Sequence, residues 1–350
     1  MRALSRPIFV ALLMLMLFPL QAVAWERGHV STFATLPAGA TPPEGITVDL
    51  HGNVYVTTFG FPASGPTATP AQLIVFDRHG KLLRQLTIAG ASPHLLGVAI
   101  HPMTHELLAV DFGAGRVLRV NPLTGASALF TSIGGSAGLN ALAFDGAGNV
   151  YISDSFQGII WRTGPAGGPA TAWVTSALLT TAGVPPFGAN GLAFNHSESA
   201  LFVANTGSDS IVKIPLNHQG APGTPAVFAD SINGADGLIL DEDDNIWVAA
   251  NQADELVVLD AGGKVIAKLG DFDGISRKGA AIGLLTPASL VFSGDFVYVT
   301  NLALDLRLFG FPGIDSQWAA QVTRYTVSRL RKRIPSSREA DDDSRYPLAD

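Results

Sequence analysis

The stretch Ala189-Asn190-Gly191-Leu192-Ala193-Phe194-Asn195, continued by Ala200-Leu201-Phe202-Val203-Ala204-Asn205, decides the fold. It reads as a polar residue, a glycine, an alternating apolar strand, a polar turn and a second apolar strand that ends on Asn or Asp. Five other segments keep the same frame: Glu44-Gly45-Ile46-Thr47-Val48-Asp49, Leu96-Gly97-Val98-Ala99-Ile100-His101, Asn140-Ala141-Leu142-Ala143-Phe144-Asp145, Asp236-Gly237-Leu238-Ile239-Leu240-Asp241 and Ala288-Ser289-Leu290-Val291-Phe292-Ser293. Their leading positions recur every 44 to 52 residues, a period that signals a solenoid, a propeller or an array.

Each copy continues alike. The second strands are Asn53–Val56, Leu107–Val110, Asn149–Ile152, Ala200–Val203, Asn245–Val248 and Phe296–Val299, and a third follows in most copies, as in Leu73–Phe76 and Ile211–Ile214. No segment keeps a helical period over three turns. Four antiparallel strands repeated six times predict an all-β, six-bladed β-propeller. The last repeat offers a third strand at Gln321–Tyr325 and no fourth, while His29–Ala34 looks like a fourth strand without a repeat. We therefore expect the N-terminal strand to complete the last blade and close the ring, which removes the exposed sheet edges.

The chain is read in three parts. Residues 1–24 carry Arg2 and Arg6, an apolar run from Ile8 to Phe18 and Ala22-Val23-Ala24, the pattern of a secretory signal peptide. The expected location is periplasmic or extracellular, with no stable membrane insertion once the leader is cleaved. Residues 25–328 form the propeller. Residues 329–350, with Arg329-Leu330-Arg331-Lys332-Arg333 and Asp341-Asp342-Asp343, read as a disordered charged tail. There is no cysteine, so disulfides, zinc-thiolate sites and cysteine nucleophiles are excluded. A net charge of -7, with only 15% charged residues and no basic face, argues against a nucleic-acid partner.

Three connections are longer than a hairpin needs: one opening with Phe59-Gly60-Phe61-Pro62, one holding Phe309-Gly310-Phe311-Pro312, and Asp271 to Pro287 before the sixth repeat. All three are expected around the mouth of the central channel. There they form either an apolar lid or packing between blades one and six.

The first position of the innermost strand varies in a chemically useful way: Glu44, Leu96, Asn140, Asn190, Asp236, Ala288. In a propeller these positions ring the channel and point at a common centre. Two carboxylates and two amide oxygens suit a hard divalent cation, most simply Ca2+. Taken singly, Asn190-Gly191 and Asp236-Gly237 are turn dipeptides, and Glu44-Gly45 need only begin a strand. Four oxygen donors in one register favour the metal.

These motifs, in this order, resemble the SMP-30/gluconolactonase family of six-bladed calcium-dependent lactonases, with a more distant likeness to the paraoxonases. The resemblance covers residues 30–328 and implies that Glu44, Asn140, Asn190 and Asp236 bind the metal and that Asp236 is the candidate general base. It also implies hydrolysis of a small-molecule lactone or ester whose carbonyl the cation polarises. Two departures stand out. The sugar-lactone members have an Arg two residues before the blade-three Asn and often an Asp after it; here these are Gly138 and Ala141. A less polar lactone or ester is therefore expected, with Phe59, Phe61, Phe309, Phe311 and His94 as candidate substrate-binding residues. The second histidine of a paraoxonase-like pair is absent at Val110-Asp111-Phe112.

Other signals are set aside. Gly134-Gly135-Ser136-Ala137-Gly138 matches a nucleophile elbow but leads into a strand, not a helix. Asp241-Glu242-Asp243-Asp244-Asn245 lacks the glycine and glutamate of an EF-hand loop and reads as a hairpin turn. Asp111, Asp154, Asn205 and Asn301 recur at second-strand ends, which points to a structural role. The alternative function is a non-catalytic NHL-type propeller that binds a ligand or protein through the loops of one face. A metal-free, strictosidine-synthase-like propeller is disfavoured by the four oxygens.

Overall fold

The computed structural model describes residues 27–311 and 315–335. The expected leader, residues 1–24, and the stretch 336–350 lie outside the described residues. Six four-stranded antiparallel sheets follow in chain order, each a meander running outward from the axis. Their inner strands are Pro43–Val48, Leu95–Ile100, Leu139–Phe144, Ala189–Phe194, Ala235–Leu240 and Pro287–Ser293, and each packs beside the inner strands of its two neighbours. The sixth sheet pairs Ser31–Thr35 with Thr326–Arg331, Phe296–Asn301 and Pro287–Ser293, so the N-terminal strand closes the ring as expected.

The second strands are near-continuous apolar runs because they are covered on both faces. Val54–Thr58, Val150–Asp154, Ala200–Asn205 and Ile246–Ala250 are buried at every position. Their side chains enter apolar clusters that each bridge two neighbouring blades, such as Ala204 and Phe202 of blade four with Val248 and Ile246 of blade five. The fourth strands face water and show it: Leu82–Thr87 has no buried residue.

Each inner strand slips register against its second strand at the same place. The shifts fall between Pro43 and Ile46, Leu95 and Val98, Leu139 and Leu142, Ala189 and Leu192, Ala235 and Leu238, and Pro287 and Leu290. These are β-bulges, and they turn the two residues inside them out of the sheet's pleat. The glycine of the repeat motif sits in four of the six. A β-carbon on Gly191 would lie 2.5 Å from Leu238 N and 2.7 Å from Asp236 O, and one on Gly45 2.3 Å from Leu96 O. The motif glycine is thus a packing requirement, set by backbone meeting backbone around the axis.

Three expectations are corrected. The third strand of blade six is Thr326–Arg331, not Gln321–Tyr325, because an insertion with 3-10 turn Leu306–Phe309 and helix Ser316–Ala319 lengthens the connection. The charged stretch from Arg329 consequently begins as a strand, with Arg329 paired to Ser31. The Asp271–Pro287 connection forms a hairpin, Phe272–Ile275 with Ala281–Gly283. It packs on the cluster holding Phe33, Val322 and Tyr325 and is absent from the wall of the cavity that holds Glu44 and Asp236. The readings of the two discounted motifs hold: residues 134–138 are loop leading into Leu139–Phe144, and Asp241 closes a hairpin turn. Its Oδ1 accepts from the Asp243 and Asn245 N–H groups and its Oδ2 from Trp247 Nε1. Among the described residues no helix is long and apolar enough to cross a membrane.

Gly191→Ala should destabilise the fold by about 1–3 kcal/mol, since its neighbour is backbone that cannot move aside. A chemical denaturation midpoint equal to that of the native sequence would contradict this account of the motif.

Candidate functional site

The bulges place Glu44, Asn140, Asn190 and Asp236 on one cavity at the mouth of the channel, and all four side chains are buried. Leu96 lines the same cavity, and Ala288 packs with Phe59, Leu96 and Leu302 beside it. The register argument from the sequence thus brings together the residues it named.

Hydrogen bonding fixes how the two amides face. Ser155 Oγ donates to Ala189 O at 2.6 Å, so it can only accept from Asn140, whose Nδ2 lies 3.3 Å away. Thr206 Oγ1 donates to Ala235 O at 2.8 Å and accepts from Asn190 Nδ2 at 2.9 Å. In each case the NH2 group is held by a hydroxyl and the carbonyl oxygen is left for the cavity. Asn251 does the corresponding work in blade five. Its Nδ2 donates to Asp236 Oδ2 at 3.0 Å and to Pro287 O at 3.3 Å. Ser155, Thr206 and Asn251 each directly follow a second strand, and each reaches the first residue of the next inner strand. They fasten consecutive blades while orienting the residue that faces the cavity.

These three were missed from the sequence by one position. The strand-terminal residues, Asp111, Asp154, Asn205 and Asn301, are structural. Asp154 Oδ1 accepts from the N–H groups of Gly138, Phe156 and Gln157, and Asn205 Nδ2 donates to the carbonyls of Leu178 and Thr180. Asn301 Oδ1 likewise accepts from Leu285 N–H, and Asp111 Oδ2 pairs with Arg116. The available signal was that Ser, Thr and Asn occupy the next position only in blades three to five, where the inner strand also carries Asn or Asp. The same position holds Phe59, Phe112 and Leu302 in the other three blades.

The carboxylates have no protein counter-charge. Glu44 Oε2 and Asp236 Oδ1 are buried without a hydrogen-bond partner, and no Lys or Arg lines the cavity. Burial drives the Glu44 carboxyl well above its usual range, and the neighbouring Asp236 charge adds to this. Burial also pushes Asp236 up to about 8, against the lowering effect of the Asn190 and Asn251 amides. Orphaned, mutually repelling carboxylate oxygens beside two amide carbonyls turned toward the cavity fit an oxygen-coordinated divalent cation. Among the described residues no cluster of three or more His, Cys, Asp or Glu is placed to hold a metal. The donor set here has two carboxylates, and its remaining oxygens are amides.

The candidate substrate residues separate into two groups. Phe59 lines the cavity; Phe61 and Phe309 stand behind it, their rings 4.5 Å apart, with Phe61 4.9 Å from Phe59. Blades one and six therefore meet through these rings, the packing alternative, while Leu302, Leu304 and Leu306 of the same connection form cavity wall. His94 stacks on Phe61 at 4.6 Å and is not on the cavity wall; burial holds its pKa below the usual histidine range, against Asp111. Phe311 is also off the wall, its backbone N–H bonded to Leu306 O. At Gly138 the missing side chain leaves room for Phe156, whose Cγ lies 2.6 Å from where a β-carbon would stand.

Residues 184–270, which span blade four with Asn190 and blade five with Asp236, match a known family region. It is the SMP-30/Gluconolactonase/LRE-like region. The resemblance expected from the ring of oxygens is therefore found, over these two blades. No curated protein matches the chain by sequence. Among solved structures, a luciferin-regenerating enzyme superposes with a TM-score of 0.61 at 15% identity, over 87% of this chain and 95% of that one. A gluconolactonase from Xanthomonas campestris superposes at 0.60 and 14% identity, over 88% and 90%. A calcium-binding protein, regucalcin, from Agrobacterium tumefaciens does so at 0.60 and 16% identity, over 85% and 93%. At such identities these structures establish the propeller and leave the chemistry to the site.

Two outcomes test this geometry. In chelator-treated protein, Asp236 binds a proton in the folded state up to about pH 8, but in the unfolded chain only up to about pH 4. Its stabilising contribution is thus complete below about pH 4 and lost as the pH rises through 8. The melting temperature should fall across that window, and less steeply in Asp236→Asn. Thr206→Val removes the hydroxyl that donates to Ala235 O and accepts from the Asn190 amide, and denaturant titration should show a loss of about 1–3 kcal/mol.

Proposed function

We propose that this protein is a divalent-cation-dependent hydrolase of a lactone or ester of low polarity, with calcium as the cation and export as the destination set by its leader. The observation that carries the reading is the pair of buried, partnerless carboxylate oxygens of Glu44 and Asp236 sharing one cavity with the amides of Asn140 and Asn190. A gluconolactonase and a protein called calcium-binding among the structural neighbours support it.

Glu44, Asn140, Asn190 and Asp236 would hold the ion, which acts as a Lewis acid toward the substrate carbonyl. The protein's own contribution is preorganisation. Ser155 and Thr206 hold the amides with their oxygens inward, so no reorientation is needed when substrate arrives. Asn251 holds Asp236 through Oδ2, so Oδ1 would be shared between the ion and the proton of the attacking water. Water oxygen bonds to the carbonyl carbon, the bond to the leaving oxygen breaks, and the proton passes to that oxygen. Phe59, Leu96, Phe187 and Leu302 shield the site from bulk water.

Adding calcium to chelator-stripped protein at about 100 times its dissociation constant should stabilise it by about 2.7 kcal/mol, several degrees in Tm. Asp236→Asn should lower kcat/KM on a panel of lactones and aryl esters by at least about 100-fold. Calcium-dependent stabilisation with no turnover of any panel member would replace the hydrolase by a binding propeller; no calcium effect would remove the metal site.

A further inference from the structure

The cavity that holds the four oxygens is small, about 50 Å3, enough for an ion and the reacting head of a substrate. What lies beyond it is aromatic. Phe59 and Phe187 are on the cavity wall. Phe112 joins them, its ring 6.3 Å from Phe59 and 6.0 Å from Phe187. Phe156 continues outward, 5.5 Å from Phe112 and 5.7 Å from Phe187, and ends half in water at 50% exposure. These rings come from four different connections, and all belong to the side of the mouth formed by blades one to four.

We infer that this phenylalanine track is the binding groove for an alkyl or aryl chain of the substrate, so that the site selects long-chain esters and lactones over polyhydroxylated ones. The inference rests on the hydrolase reading for its reacting group and on the track for its chain.

Three observations carry it. The rings touch one another in succession from Phe59 and Phe187 on the cavity wall to half-exposed Phe156, unlike a scattered exposed apolar side chain. Its outer ring is seated by an absence: any β-carbon at Gly138 would collide with Phe156 at 2.6 Å, so bare backbone lets that ring lie against the mouth. Finally, the hydroxyl protons at the cavity and those of the Asn251 amide are already committed. The Ser155 and Thr206 hydroxyls donate to Ala189 O and Ala235 O, and the Asn251 amide to Asp236 and Pro287. Along the phenylalanine rings a polyol would lose its water contacts and gain none in return, whereas a methylene chain meets only carbon.

The test uses the calcium-loaded full chain and p-nitrophenyl esters from acetate to decanoate. Transfer of a methylene from water into the track is worth up to about a fourfold gain, so kcat/KM should climb several-fold for each added pair of carbons. In Phe156→Ser the decanoate-to-acetate ratio should fall at least about fivefold. A flat chain-length profile, or a ratio unchanged by Phe156→Ser, overturns the track while leaving the hydrolase intact. A second readout needs no turnover: 2-undecanone, which cannot be hydrolysed, should raise the Tm of the native protein more than that of Phe156→Ser. If no ester reacts yet the ketone discriminates between the two proteins, the hydrolase reading fails and the track stands. If the ketone stabilises neither, the track is withdrawn.

Discussion

Six inner strands meet around one axis at backbone distance, and much of this chain is arranged to permit that approach. Side chains cannot be accommodated between Gly45 and Leu96 or between Gly191 and Leu238. The strands answer with a bulge at the same point of every repeat and a glycine within it in four of the six, and the bulge does more than relieve crowding. It releases the preceding side chain from the in-and-out alternation of the pleat and lets it face the channel. The feature that makes the ring packable is therefore the feature that builds the site.

Packing explains the convergence; electrostatics gives it a direction. A ring filled with leucine and alanine at all six positions would be comfortable, and Leu96 and Ala288 show that the fold accepts them. Glu44 and Asp236 instead bring two acids together without a cationic residue, at a cost in the free protein that a bound proton or the proposed cation relieves. Local destabilisation of this kind is common where stability is traded for function. The hydroxyl clamps of Ser155 and Thr206 limit the damage, because they satisfy inner-strand carbonyls and amide protons at once.

The mouth is divided. The residues just past the second strands are polar in blades three to five and apolar in blades one, two and six. The polar half orients amides and a carboxylate, while the apolar half and the phenylalanines above it exclude water. Such a division suits the proposed substrate, one reactive polar group on an apolar body.

The propeller, its closure by the N-terminal strand and the four cavity residues were legible in the sequence, because each depends on a pattern repeated along the chain. Asn190 leads its repeat in the same register as Glu44, and that is visible without coordinates. The third strand of blade six was misplaced because the insertion before Thr326 breaks the spacing on which the reading relied. The amide orientations, the clamps and the phenylalanine track were not legible. Ser155 acts on Asn140 and on Ala189, 15 and 34 residues away in opposite directions, and Phe156 touches rings from two other blades. Periodicity reports the neighbours that a residue has within its own blade. Which atoms face one another across blades is settled only when the ring closes, since that closure alone brings separate repeats to hydrogen-bonding and van der Waals distance.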